Sequence, residues 1–263
     1  MPILNVYLTG GLVILGFMGI LWLVSLRLKN SSIVDIFWGA GFVIAGWTYF
    51  LLTPDGYLVR KLILMLLTTV WGLRLTLHIL IRNWGKPGDF RYQKWRQEHG
   101  SKWPLRSLFQ VFILQGLLMW VISIPLLAGQ YRSNPANFTI LDALGIGIWA
   151  IGFFFEAVGD WQLTRFKSDP GNRGKLLSTG VWKYSRHPNY FGDAAQWWGF
   201  YLLAAAAGGW WTIFSPILMT LLLVRVSGVA LLEKTLTNTK PGYAEYVRST
   251  SAFIPWFPHK AKK

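Results

Sequence analysis

Apolar residues in this chain are gathered into long unbroken runs separated by short polar stretches. They do not alternate as they would in elements with one wet face. Seven runs stand out, over residues 3–26, 33–52, 62–81, 105–128, 141–163, 190–207 and 211–232. Each is close to the roughly 17–25 residues that take a helix across about 30 Å of hydrocarbon. A segment surrounded by lipid has to satisfy its own backbone, and a helix does this internally. The pattern therefore predicts an all-α fold, a polytopic bundle of seven transmembrane helices. The first run has no small-residue cleavage site and is followed by six more, so it reads as a retained span and not a signal peptide. Gly208-Gly209-Trp210 between the last two runs predicts a tight interfacial hairpin. The glycines of the first run, Gly10, Gly11, Gly16 and Gly19, read as helix contacts.

Composition agrees with a lipid-facing chain: 53% of residues are hydrophobic, 14% are charged and 16 are Trp. There is no cysteine, which excludes disulfides, thiolate metal sites and a cysteine nucleophile. The net charge of +15 is concentrated in a few inter-span segments, which suits anionic headgroups or an anionic cofactor and argues against nucleic acid. Lys and Arg near span ends stay on the cytoplasmic side. Arg27 and Lys29, the cluster from Arg82 to Arg106, the cluster from Arg165 to Arg186, and the tail from Lys234 to Lys263 all fall on one side if the amino terminus is outside. An odd number of spans then leaves the carboxyl terminus cytoplasmic. Arg60, Lys61 and Arg132 are the exceptions outside the spans.

Ionisable groups inside a span cost several kcal/mol unless paired or wetted, and so mark candidate chemistry. Asp35 opens the second span, and Arg74 and His78 lie one turn apart in the third. Glu156 and Asp160 repeat that spacing in the fifth, Asp193 is early in the sixth, and Arg225 is deep in the seventh. Any one of them can be a structural ion pair, but most lie toward the predicted cytoplasmic halves, which predicts a pocket there. Beside it runs the segment from Asp169 to Asp193, mixing Gly and Pro with Arg173, Lys175, Lys183 and Arg186 and entering the sixth span through His187-Pro188-Asn189-Tyr190. Its cations and the free amides of a helix start can hold phosphates, or lie against anionic headgroups. The four His residues have no metal-ligand spacing, so no metal site is expected. No serine sits on a nucleophile elbow.

The stretch Thr179-Gly-Val-Trp-Lys-Tyr-Ser-Arg-His-Pro-Asn-Tyr-Phe-Gly-Asp193, with the later Glu233, Tyr243-Ala-Glu-Tyr246-Val-Arg248 and Phe253-Ile-Pro255, resembles the carboxy-terminal domain shared by membrane steroid 5-alpha-reductases, sterol reductases and isoprenylcysteine carboxyl methyltransferases. The whole chain is most similar to a bacterial family of membrane proteins grouped with the 5-alpha-reductases. The likeness is strongest from Glu156 onward. Over the first half it rests on span count and on Ser32-Ile-Val-Asp35-Ile-Phe-Trp38-Gly39.

The resemblance implies NADPH as cofactor, with Glu156 and Asp160 contacting it; the first of these is Asn in the steroid enzymes. Lys167 and either Arg173 or Lys175 would face phosphates, and Asn189 and Asp193 the nicotinamide or its ribose. Arg186, His187, Tyr190, Glu233, Tyr246, Arg248 and Arg74 complete the implied cofactor set. Trp71 stands where the steroid enzymes have a catalytic Tyr. Their Gln-Glu pair on the second span has no counterpart, and Asp35, with Trp38 beside it, is the nearest polar replacement.

The expectation is a bacterial inner-membrane reductase that transfers a hydride from NADPH to the C=C bond of a lipophilic, steroid-like or isoprenoid enone drawn from the bilayer. Its substrate-side half would be residues 1–128 and its cofactor-binding half residues 140–263, facing the cytoplasm. Asp35, protonated by burial, would stabilise charge arriving on the carbonyl oxygen. The alternative is a membrane methyltransferase of the isoprenylcysteine type using S-adenosylmethionine, for which Arg186-His187-Pro188-x-Tyr190 and Glu233 are the matching residues. A lipid-binding or transport protein is the third class, and it predicts that neither cofactor binds.

Overall fold

The structure, a computed structural model, describes residues 1–226, 229, 233 and 241–259, and every regular element among them is helical. Four segments are long and apolar enough to cross a membrane: Ile3–Leu28, Leu58–Asn83, Phe90–Tyr131 and Ile140–Ser168. They correspond to the first, third, fourth and fifth apolar runs. The second run yields a shorter apolar helix, Trp38–Leu52, and the seventh a shorter stretch, Trp210–Val226, with its remainder largely outside the described residues. The sixth forms the helix Pro188–Ala206, whose apolar character is diluted by Asn189, Asp193 and Gln196. The chain divides into two compact units, Met1–Thr139 with Leu203–Thr212, and Ile140–Leu202 with Ile213–Lys263.

In the first unit α1 (Ile3–Leu28) has 26 residues, about 39 Å of helix. It ends on Lys29, whose φ of 53° is left-handed. The Asn30 side-chain oxygen Oδ1 then accepts from Ser32 N–H at 3.0 Å and Ser32 Oγ at 2.6 Å, which starts the single turn α2 (Ile33–Ile36). At Phe37, with φ −93° and ψ 8°, the chain leaves helical geometry before α3 (Trp38–Leu52). The break is bridged from outside: Ala40 N–H donates to Thr76 Oγ1 at 3.0 Å, a residue of α4 (Leu58–Asn83). α3 and α4 touch backbone to backbone where Gly39 faces Gly72, so that a Cβ on either would overlap the other's carbonyl oxygen.

The segment after α4 is polar. α5 (Phe90–His99) is capped by Asp89, which accepts from Arg91 N–H at 2.9 Å, and it buries Tyr92 alone. α6 (Trp103–Ser107) runs into a π-helical stretch, Leu108–Ile113, and on into α7 (Leu114–Ile122). α8 (Ile124–Tyr131) carries Pro125 in its first turn, where no N–H is needed.

The second unit is built on α9 (Ile140–Ser168), 29 residues long, and α10 (Pro188–Ala206), which continues into the first unit. The buried positions Asp142, Gly145, Trp149, Gly152, Glu156 and Gly159 of α9 alternate at spacings of three and four, the seam of a closely packed helix pair. Every seventh residue of that seam is glycine, and α10 answers with Gly192 and Gly199. A Cβ on Gly199 would meet Gly145 O at 2.7 Å, a Cβ on Gly152 would meet Gly192 O at 2.5 Å, and Gly159 lies against Asn189. Small residues at such crossings let two backbones approach and drive association in lipid. α11 (Phe214–Leu221) is tied to α10 by Trp198 Nε1, which donates to Thr220 Oγ1 at 3.3 Å. A tail helix, Tyr243–Ser249, follows.

Candidate functional site

The seam between α9 and α10 carries the acids of the fifth span. Glu156 is 3% exposed and accepts from Gln196 Nε2 at 2.6 Å. Asp160, also buried, accepts from Asn189 Nδ2 at 2.9 Å. A carboxylate can only accept, so the Asn189 amide is oriented with its oxygen turned away from Asp160. That oxygen is buried and meets no donor among the described residues, and the same holds for Gln196 Oε1. An orphaned buried acceptor costs about 1–3 kcal/mol, which a ligand N–H or O–H placed there would recover. Asp193, one turn after Asn189, is buried as well, and Tyr190 stacks against His187 with centroids 5.9 Å apart.

Beside the last two turns of α9 a cavity of about 480 Å³ is lined by Trp161, Gln162, Arg165 and Phe166 and, from the following loop, by Asn172, Leu177 and Thr179, among others. The Arg165 guanidinium lies 5.6 Å from the Trp161 ring, a cation–π contact. Gln162 shapes the wall by accepting from Val181 N–H at 3.1 Å, beside Gly180 with its φ of +63°. Lys167, Arg173, Lys175 and Lys183 are exposed around this loop and do not line the cavity.

Arg186 is differently placed. It is 8% exposed, and its Nε and Nη2 donate to Glu233 Oε1 at 2.8 and 2.7 Å, while Nη1 donates to the carbonyls of Val247, at 3.1 Å, and Thr250. Those carbonyls lie at the end of the tail helix, where orphan acceptors and the negative dipole end favour a cation. The tail is held further by Arg186 N–H to Ser251 O at 2.9 Å, Ser185 Oγ to Phe253 O at 2.8 Å, and Tyr246 OH to Trp182 O. Trp182 Nε1 in turn donates to Gly159 O at 3.1 Å, linking tail, turn and α9. His187 Nε2 sits 3.3 Å from Glu233 Oε1. Burial pushes its imidazole below the ordinary value, with Glu233 opposing and Arg186 reinforcing the shift. Burial also raises the Tyr246 phenol. Arg248 is exposed in the last turn of the tail helix.

The first unit holds a second polar group. Tyr92 OH donates to Asp35 Oδ1 at 3.0 Å and accepts from Gln115 Nε2 at 3.2 Å. Asp35 lies just before the Phe37 break, and Gln115 just after the π-helical stretch, a distortion that recurs at functional sites. Asp89 and Arg91 form an ion pair close by, with Arg91 Nε 3.0 Å from Asp89 Oδ1. Burial raises the Asp89 carboxyl, but the hydrogen bonds and charge of Arg91 outweigh it and hold the group below its usual range. Trp38 and Trp71 both pack on Phe42, at 5.3 and 5.7 Å between centroids, and Arg74 lies partly buried on α4 one turn beyond Trp71.

A family profile described as a protein of unknown function, DUF1295, matches residues 21–250. The chain belongs to the DUF1295 family. That family includes steroid 5-alpha-reductase-like membrane proteins. The chain is also similar to the Schizosaccharomyces pombe protein C594.04c, 28% identical over 203 residues, which are 68% of this chain and 58% of the relative. A Delta(14)-sterol reductase of Gibberella zeae is 30% identical over 105 residues, 34% of this chain and 22% of that enzyme. The chain thus spans about three-fifths and one-fifth of these relatives. No solved structure matches it.

Within this DUF1295 chain, twelve of the residues singled out from the sequence fall into three groups, while Lys167, Arg173, Lys175 and Arg248 are exposed. Glu156, Asp160, Asn189 and Asp193 lie along the α9–α10 seam. Arg186, His187, Glu233 and Tyr246 cluster at the docked tail. Asp35, Trp38, Trp71 and Arg74 belong to the other unit. The structure adds residues that sequence reasoning passed over. Gln196 was hidden as a polar residue inside an apolar run, although it stands seven after Asn189. Tyr92 and Gln115 lie 57 and 80 positions from Asp35, and nothing local ties them to it. Arg165 was counted only as one more loop cation.

Proposed function

We propose that this DUF1295 protein is a membrane-embedded reductase that uses NADPH to reduce a C=C bond of a lipophilic enone. In this reading the chain has seven spans in a bacterial inner membrane, with the cofactor end cytoplasmic. The observation that carries it is Asn189: an amide locked by Asp160 with its oxygen buried and awaiting a donor, at the start of α10. A carboxamide N–H or a ribose hydroxyl supplies such a donor. The cavity beside Trp161 and Arg165, with an aromatic wall and a cation, suits the adenosine end of a dinucleotide, and the exposed cations Lys167, Arg173 and Lys175 suit its phosphates. The similarity to a sterol reductase supports the same class.

NADPH, when bound, supplies the hydride. Asn189 orients the carboxamide, and the Asp160 carboxylate orients Asn189. Arg186 and Glu233 hold the tail and act as positioning residues. In the first unit, Tyr92 OH is fixed between Asp35, to which it donates, and Gln115, from which it accepts.

Melting curves of the purified protein with NADPH, NADH and S-adenosylmethionine test the reading. NADPH is expected to give the largest shift. Asn189→Ser, which keeps a donor but retracts the amide oxygen, is expected to weaken NADPH roughly fivefold, the worth of one neutral hydrogen bond. No shift with NADPH, or an unchanged affinity in Asn189→Ser, overturns it. The methyltransferase reading is favoured by one observation, that Arg186, His187 and Glu233 come together; a shift with S-adenosylmethionine alone would select it.

A further inference from the structure

The chain from Ser251 to His259 is irregular, and four of its backbone groups are bonded back to the turn before α10 and to the tail helix. Pro255 and Pro258 have no N–H to satisfy. Trp256 N–H donates to Tyr184 O and His259 N–H to Ser249 O, both at 2.9 Å. The carbonyls of Ser251 and Phe253 accept from Arg186 N–H and Ser185 Oγ. The side chains do the opposite: Ile254, Trp256 and Phe257 are 64, 63 and 73% exposed. Phe257 meets the exposed Tyr184 edge to face, with centroids 6.1 Å apart. Lys183 and Arg248 are exposed on the neighbouring turn and helix, and the sequence continues with Lys260, Lys262 and Lys263.

A water-facing loop leaves its backbone to solvent and turns apolar side chains in. Here the backbone is tied back at four points while the apolar side chains of Ile254, Trp256 and Phe257 face out, beside the Arg186 clamp. Irregular backbone is excluded from hydrocarbon when lipid-exposed, but Trp and other aromatics favour the headgroup level, and Lys and Arg there meet anionic lipid. The charge around the patch selects an anionic bilayer surface as its occupant. We propose that Phe253–Phe257, fixed to the turn before α10, is an interfacial anchor that sets Ile254, Trp256 and Phe257 into the headgroup region of an anionic bilayer.

The chain has no cysteine, so single cysteines take a nitroxide label at one place. Phe257→Cys and Ile254→Cys, with Ser178→Cys on the exposed basic loop as reference, are compared in nanodiscs of phosphatidylcholine alone and of phosphatidylcholine with phosphatidylglycerol. At 257 and 254 the ratio of oxygen to nickel-chelate accessibility is expected to exceed that at 178 several-fold, and to rise further with phosphatidylglycerol. Readings at both positions equal to that at 178 overturn the proposal, as do readings that do not respond to phosphatidylglycerol. Dipolar broadening between labels also overturns it, since a second copy of the chain would then cover the patch.

Discussion

A methyl group placed on Gly192 has nowhere to go. It would run into the backbone N of Glu156 and the carbonyl oxygen of Gly152, with Glu156 Cβ at 2.8 Å. None of these can swing aside, because all belong to α9 itself or to the base of a buried side chain. Gly192→Ala must therefore push α9 and α10 apart. Overpacking of this kind costs about 1–3 kcal/mol, partly offset by the gain of roughly 1 kcal/mol from replacing a helical glycine with alanine. Gly147→Ala is the matched control on the same α9 helix, since a Cβ there meets nothing within 4 Å. It keeps the propensity gain without the clash. Gly192→Ala is expected to be the less stable of the two, by about 1–3 kcal/mol, or roughly 2–12 °C in melting temperature for a chain of this size. Thermal melting of both in one detergent is the assay. Gly192→Ala melting at or above Gly147→Ala would falsify the close-packed seam.

Other consequences are open to direct measurement. Arg186→Ala leaves Glu233 without its guanidinium and frees the end of the tail helix; it is expected to cost about 3 kcal/mol and to speed limited proteolysis after Arg248 relative to the rest of the chain. His187 is held neutral in the folded state, so the unfolded chain takes up its proton first as pH falls. Stability is then full above about pH 6.5, declines below it, and levels off under the folded value; His187→Asn should flatten the portion of the melting-temperature profile due to this group. Tyr92→Phe removes the phenolic hydroxyl while keeping the ring, so Asp35 loses its donor and Gln115 its acceptor; it is expected to cost about 1–3 kcal/mol, read as a lower melting temperature, with NADPH affinity unchanged. An unchanged melting temperature in that variant would refute the Asp35–Tyr92–Gln115 network. Arg173→Ala with Lys175→Ala should weaken NADPH and flatten the salt dependence of its binding.

The long helices could be read from the chain because length and hydropathy alone specify a membrane-crossing helix. α1, α4 and α9 start and stop within a few residues of their apolar runs. The break at Phe37 could not, since no Pro or Gly marks it and the Ala40 amide is rescued by Thr76 on another helix. The first-run glycines show the same limit. Gly10 and Gly11 meet Tyr49 and Trp120, whereas Gly16 and Gly19 face open space, and spacing within one helix does not tell the two kinds apart. The heptad of Gly145, Gly152 and Gly159 was present in the sequence, but its meaning appears only when Gly192 and Gly199 are seen opposite. Among the candidate residues, acids inside spans were conspicuous because lipid makes them costly. Arg186 was conspicuous for its charge, yet its partners Val247 and Thr250 lie more than sixty residues away, and its work at the tail is a tertiary fact.

A seam that repeats every seven residues has a hazard built in, because one helix can slide along the other by a whole repeat and find glycine opposite glycine again. Backbone proximity alone would accept either alignment. The two acids break the degeneracy together: only in the observed setting do Glu156 and Asp160 both find an amide, Gln196 and Asn189, whereas a slip of seven matches one acid to an amide at most. These two acid–amide pairs work as a key in a slotted shaft. Whatever else they do, they give an otherwise periodic helix pair a single address.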